Sequence, residues 1–114
     1  MSVSPEYRAY ALEQLGRVLS VTARSMFGGV GIYSGGFFFA LIDDDVLYLK
    51  VDDTNRADFE TIGSGPFRPY GDERAMQYFA LPGDMLDDVD ALRPWMEGAV
   101  AVARRARSRR SRRK

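Results

Sequence analysis

The sequence predicts an α+β domain built on an antiparallel sheet, and three observations carry that expectation. Strand-forming runs follow one another in series, tight-turn residues separate them, and helical periodicity is confined to the two ends and one short middle segment. Residues 37–42 and 46–51, FFFALI and VLYLKV, are the clearest case. Both are β-branched and aromatic, and Asp43-Asp44-Asp45 between them is a short polar break that favours a hairpin. Ser34-Gly35-Gly36 supplies the turn before the pair. The expected sheet has four to six strands, accompanied by an N-terminal, a middle and a C-terminal helix.

Taken in order, Ser4-Pro5-Glu6 has the form of a helix start: a hydroxyl N-cap, proline at the first helical position and a carboxylate at the positive end of the dipole. Tyr7, Ala11, Leu15, Val18 and Leu19 then form one apolar stripe, which carries the helix to about Leu19 or Ser20. Residues 24–28 and 30–33 read as short strands and, with the hairpin, make a meander. Thr54 is the expected N-cap of a middle helix through Phe59, Glu60 and Ile62, ended by Gly63-Ser64-Gly65-Pro66. Residues 67–70 and 76–81 read as two further strands around a polar turn at Gly71-Asp72-Glu73, and Pro82-Gly83-Asp84 closes the sheet. From Asp90 onward Leu92, Trp95, Met96, Ala99, Val102, Ala103 and Ala106 keep helical spacing, with Pro94 expected in the first turn, where its missing donor costs least.

Alternation along the hairpin is poor. Phe37, Phe39 and Leu41 fall on one face, yet Phe38, Ala40 and Ile42 on the other are as apolar, so both faces are expected to be covered. Helices would take one face, and either the remaining chain or another molecule the second; the latter makes Phe38, Ala40 and Ile42 the candidate interface of a homodimer or other partner complex. Phe39, Leu41, Leu47, Leu49 and Trp95 are the expected core.

Composition narrows the chemistry. A chain of 114 residues, 46% of them hydrophobic, is sized for one domain with a real core. It has neither cysteine nor histidine, which removes disulfides, thiol redox chemistry, Ser-His and Cys-His nucleophile pairs and the usual zinc ligands. No cofactor or metal is expected. The N-terminus lacks a basic segment followed by an apolar run, and no apolar stretch approaches the ~20 residues that span a bilayer, so a cytoplasmic protein without membrane contact is expected. Net charge is formally zero but divided. Residues 1–103 hold eight basic and all sixteen acidic residues, a balance of −8, whereas Arg104, Arg105, Arg107, Arg109, Arg110, Arg112, Arg113 and Lys114 give the end of the chain +8. The expected organisation is a domain over 1–103 and a largely disordered basic tail over 104–114.

Few motifs point to catalysis. Gly28-Gly29-Val30-Gly31 lacks both the Lys-Ser/Thr of a phosphate loop and the following helix of a dinucleotide site, and reads as a bulge or a close backbone approach. Asp43-Asp44-Asp45 reads as a solvated turn rather than a calcium loop, whose ligands alternate around a glycine. Asp84, Asp87, Asp88 and Asp90 stand where a helix begins and its dipole favours negative charge. Tyr48 and Lys50 alternate with Leu47, Leu49 and Val51, so they share the opposite face, where Tyr33 joins them in a surface or interface role. The basic tail has the direct mechanistic reading. Clustered guanidinium groups neutralise phosphates and release counterions with little sequence preference, and all eight tail cations are candidate nucleic-acid contacts. The bland alternative is a solvated extension or a contact with the acidic body.

Met26-Phe27-Gly28-Gly29-Val30-Gly31-Ile32-Tyr33, Leu47-Tyr48-Leu49-Lys50-Val51-Asp52, Pro66-Phe67, Tyr78-Phe79-Ala80-Leu81-Pro82 and Trp95 in the last helix occur in an order and spacing that resembles the TfoX N-terminal domain family, which includes bacterial competence regulators. Those regulators look like two-domain proteins with a second, helical domain, for which this sequence is expected to leave no room. The resemblance implies a non-enzymatic regulatory or interaction domain in transcriptional control of DNA-uptake genes, acting in some members with a cAMP receptor protein. A second reading is a small homodimeric adaptor whose basic tail lies on the acidic surface of its partner. A third, a hydrolase using carboxylates or a bound metal, requires close carboxylates in a concave pocket.

Overall fold

The computed structural model describes residues 3–26, 28–67 and 77–112, the last four by their backbone alone. Five strands form one antiparallel sheet in sequence order: β1 (Thr22–Met26), β2 (Gly29–Ser34), β3 (Phe37–Asp43), β4 (Val46–Lys50) and β5 (Tyr78–Ala80). Four helices accompany it: α1 (Pro5–Gly16), α2 (Arg56–Thr61), α3 (Gly83–Leu86) and α4 (Val89–Arg112). The fold is the expected α+β class, with an unbroken meander at its centre.

Turn chemistry explains the meander. Gly35 and Gly36 have φ of 58° and 82°, and Asp44 and Asp45 have 51° and 57°. Two successive left-handed residues are what a two-residue hairpin needs for its twist to match the right-handed twist of the strands. Glycine reaches that region freely, and a short aspartate tolerates it. Asp45 has a second task, its carboxylate accepting a hydrogen bond from the Ser4 N–H at 2.8 Å and so tying the start of α1 to the hairpin tip.

One sheet face carries all the helices. α4 lies across β3 and β4, while α1 and α3 pack on α4. Leu47, Leu49, Val51, Phe79 and Leu81 from the sheet meet Leu92, Met96, Ala99 and Ala103 of α4 and Ala11 and Leu15 of α1, all buried. Phe59 of α2 is fully buried, and Trp95, expected in the core, is partly buried with its ring edge-on to Phe59 at 4.7 Å.

The central strand departs from the expected alternation. Ile32 pairs with Ala40 but Tyr33 pairs with Phe38, so Phe39 has no partner on β2 and the register shifts by one. This bulge turns Phe39, Ala40 and Ile42 all to the helix side, where each is completely buried. The candidate interface of Phe38, Ala40 and Ile42 is thereby corrected: Ala40 and Ile42 belong to the core, and only Phe38 faces outward. Leu41, expected in the core, pairs with Tyr48 on the outer face and is partly buried.

Boundaries differ where local hydrogen bonds outweigh the apolar pattern. Ser4 caps α1 as expected, its hydroxyl accepting from Tyr7 N–H, but the helix ends at Gly16 because Arg17 and Val18 donate to Gln14 and Leu15 in tighter turns. Val18 and Leu19 still pack against the core. The N-cap of α2 is Asn55 rather than Thr54, since Asp52 draws Thr54 into a turn of its own. The short α3 is an addition to the expected elements, and Pro94 stands in the second turn of α4 rather than the first. Asp88 caps α4, its carboxylate accepting from the N–H groups of Asp90 and Ala91. The expected strand 67–70 and turn 71–73 lie outside the described residues apart from Phe67, whose N–H donates to the Tyr78 carbonyl at 2.7 Å.

Candidate functional site

α4 does not stop where the charge changes sign. Its backbone continues helically through Arg112, so the boundary expected at residue 103 falls inside one helix instead of marking the start of an irregular tail. Arginine is a good helix former, and a helix already anchored by packing propagates at little cost. Arg104 and Arg107 are three residues apart and share a face, and both guanidinium groups lie over the Phe37 ring, at 5.3 and 4.8 Å from its centre. Arg107 also donates to the Gly36 carbonyl at 3.4 Å. These contacts hold the basic end of α4 against the β2–β3 turn.

Arg105 points elsewhere. Its Nε and Nη2 donate to Asp52 at 3.3 and 3.1 Å, and Nη2 donates to the Thr54 hydroxyl at 2.7 Å. Asp52 in turn accepts from the N–H and hydroxyl of Thr54. Burial is the largest single influence on its carboxyl and pushes its pKa up. The two Thr54 bonds and the Arg105 guanidinium together outweigh burial and hold the pKa below the usual aspartate value. Of the candidate nucleic-acid contacts, therefore, Arg105 is engaged by the body, and Arg104 and Arg107 are exposed. Arg109, Arg110 and Arg112 are placed by backbone alone, and Arg113 and Lys114 lie outside the described residues.

A cleft of about 580 Å³ opens beside this cluster, lined by Lys50, Asp52, Asp53, Thr54, Arg56 and Arg105 among others. It holds the two neighbouring carboxylates that a hydrolase would require, but each is matched by an arginine, Asp52 by Arg105 and Asp53 by Arg56 at 2.6 Å. Asp52, whose carboxyl is held below the usual aspartate range, is a poor general acid and a weak base. Among the described residues, no group of three or more acidic side chains is placed to hold a metal ion, and no helix is long and apolar enough to cross a membrane.

The outer sheet face is aromatic. Tyr33 stacks on Phe38 with centroids 5.1 Å apart, Phe38 meets Tyr78 at 5.7 Å, and Tyr48 meets Phe67 at 4.7 Å. Arg24 lies over Tyr33 and Lys50 over Tyr78. Burial, then the charges of Asp43 and Asp44, raise the pKa of the Tyr48 phenol.

The family model for the TfoX N-terminal domain matches residues 13–103 of this chain. The chain belongs to the TfoX N-terminal domain family. No curated protein matches it. The matched segment of the TfoX N-terminal domain runs from α1 through all five strands into α4, so the outer aromatic face and Asp52 lie inside it and the run from Arg104 onward lies outside.

Alternation in residues 47–51 was enough to place Tyr48 and Lys50 outward, and Tyr33 joins them there as expected. Phe67, Tyr78 and Arg24 escaped sequence reasoning. Tyr78 alternates with the buried Phe79 and so carried a usable signal, whereas Arg24 and Phe67 reach the face only through strand order and a single bridge at Pro66.

Proposed function

We propose that this TfoX N-terminal domain is a non-enzymatic regulatory or interaction domain that contacts nucleic-acid phosphates through the arginine-rich end of α4, in transcriptional control with a transcription-factor partner. The observation that carries the reading is the continuation of α4 to Arg112, with Arg104 and Arg107 exposed and steadied on Phe37. A helical cation run suits a phosphate backbone, and packing on Phe37 already orders the part that carries Arg104 and Arg107. The acidic body supports the assignment, since its net charge of −8 over residues 1–103 repels phosphate. Family membership supports the regulatory role.

The test compares duplex DNA binding by the full chain with binding by a variant carrying glutamine at Arg109, Arg110, Arg112 and Arg113. These positions lie beyond Arg105, so the variant leaves the Asp52 ion pair in place. Marked loss of affinity in the variant is expected, and equal affinity would remove the reading. The Arg105–Asp52 pair favours a second reading, the homodimeric adaptor, because it is a case of a tail cation bound to a body carboxylate. Under that reading the glutamine variant loses self-association and the full chain does not bind DNA.

A further inference from the structure

We propose that the outer sheet face is the seat of a second copy of this chain, packed face to face across Tyr33, Phe38, Leu41 and Tyr48. The inference does not depend on the nucleic-acid reading, because it concerns the opposite side of the sheet from α4. Three observations carry it. Tyr33, Phe38 and Tyr78 form one row of partly buried rings and Tyr48 and Phe67 a second, with Leu41 paired to Tyr48, so that among the described residues the face has the aromatic-rich centre that distinguishes interface cores from ordinary surface.

The rings are also arranged for protein rather than for unpaired bases. Tyr33 and Phe38 stack with 28° between their planes, Phe38 and Tyr78 are tilted at 39°, and Arg24 and Lys50 lie over Tyr33 and Tyr78 at the ends of the row. A base needs a free ring face on which to stack. Rings packed on one another in this way, with cations over two of them, suit contact with another side-chain layer.

Charge selects the occupant. Residues 1–103 carry −8 overall, but among the described residues this face sets Arg24 and Lys50, over Tyr33 and Tyr78, beside Asp43 and Asp44, whose charges reach the Tyr48 phenol. Two copies can approach here without the mutual repulsion they meet elsewhere, and mixed signs on one face let each copy set cations against the carboxylates of the other. A polyanion gains no net attraction from the same surface.

The test is sedimentation equilibrium of the full chain at low and at high salt, alongside Phe38→Asp. A dimer that salt weakens only modestly, and that Phe38→Asp weakens about tenfold or more with unchanged circular dichroism, is the expected result. Leu41→Cys places the only thiol of the chain at the centre of the face, and its labelling rate should fall as protein concentration rises; this readout stands even if Phe38→Asp does not fold. A monomer at every concentration, with a concentration-independent thiol, overturns the proposal. So does a dimer that dissociates in salt and ignores Phe38→Asp, which would place the basic tail on an acidic patch instead. Binding of a single-stranded oligonucleotide by a monomeric chain, lost in Phe38→Asp, would assign the face to unpaired bases.

Discussion

Asp52 joins the middle of the fold to the basic end of α4, and its charge state makes that connection dependent on pH. A carboxyl whose pKa is depressed on folding contributes stability above its unfolded value, about 3.9, and loses it as pH falls through the folded value. Asp52→Asn should therefore flatten the acid limb of a stability-against-pH curve. The loss near neutral pH should stay below about 1 kcal/mol, because the Arg105 side chain is 41% exposed and the pair is screened. Tyr7 behaves in the opposite sense at high pH: burial first, then Asp45, raises its phenol to about 12. Its contribution is complete below about 10 and fades as pH climbs to the folded value, which an ultraviolet titration of Tyr7→Phe against the parent chain would resolve. Gly29 and Gly31 stand in the run read from the sequence as a bulge or a close backbone approach. A Cβ at Gly29 would stand 2.5 Å from the Ile42 carbonyl oxygen, which is backbone, whereas at Gly31 the nearest obstacle is the movable end of the Met26 side chain. Gly29→Ala should cost about 1–3 kcal/mol in chemical denaturation, and Gly31→Ala distinctly less.

At the scale of elements, the β3–β4 hairpin divides its side chains unequally. Leu49→Ala should cost about 2–5 kcal/mol, since Leu49 is completely buried, while Leu41→Ala should cost well under half of that in the same denaturation series. Equal losses would mean that Leu41 shares the buried face with Leu49. The hairpin itself was legible, because Asp43-Asp44-Asp45 states its turn in local chemistry that no distant contact needs to supply. The bulge was not, because one unpaired residue in β3 changes neither composition nor hydrophobicity and only the pairing with β2 reveals it. The candidate interface suffered for that reason: a shift of one residue moved Ala40 and Ile42 into the core and left Phe38 outside. The end of α4 was misjudged for another reason. Charge density argued for an irregular tail, yet Leu92, Met96, Ala99 and Ala103 on one stripe anchor a helix that continues into the arginines.

For the molecule as a whole, the division of charge along the chain becomes a division in space, with an acidic body and a helix end that gathers positive charge. Arg104 and Arg107 reach back to Phe37 and Arg105 to Asp52, and these arginines join the two regions. The central claim is that the helix end binds nucleic-acid phosphates, and the most direct measurement is duplex DNA affinity of the full chain as a function of salt. If all eight cations engage, the logarithm of affinity should fall against that of salt with a slope of about −7, and a slope nearer −6 would show Arg105 staying with Asp52. Binding that is undetectable at low salt, or an affinity that does not respond to salt, would contradict the account.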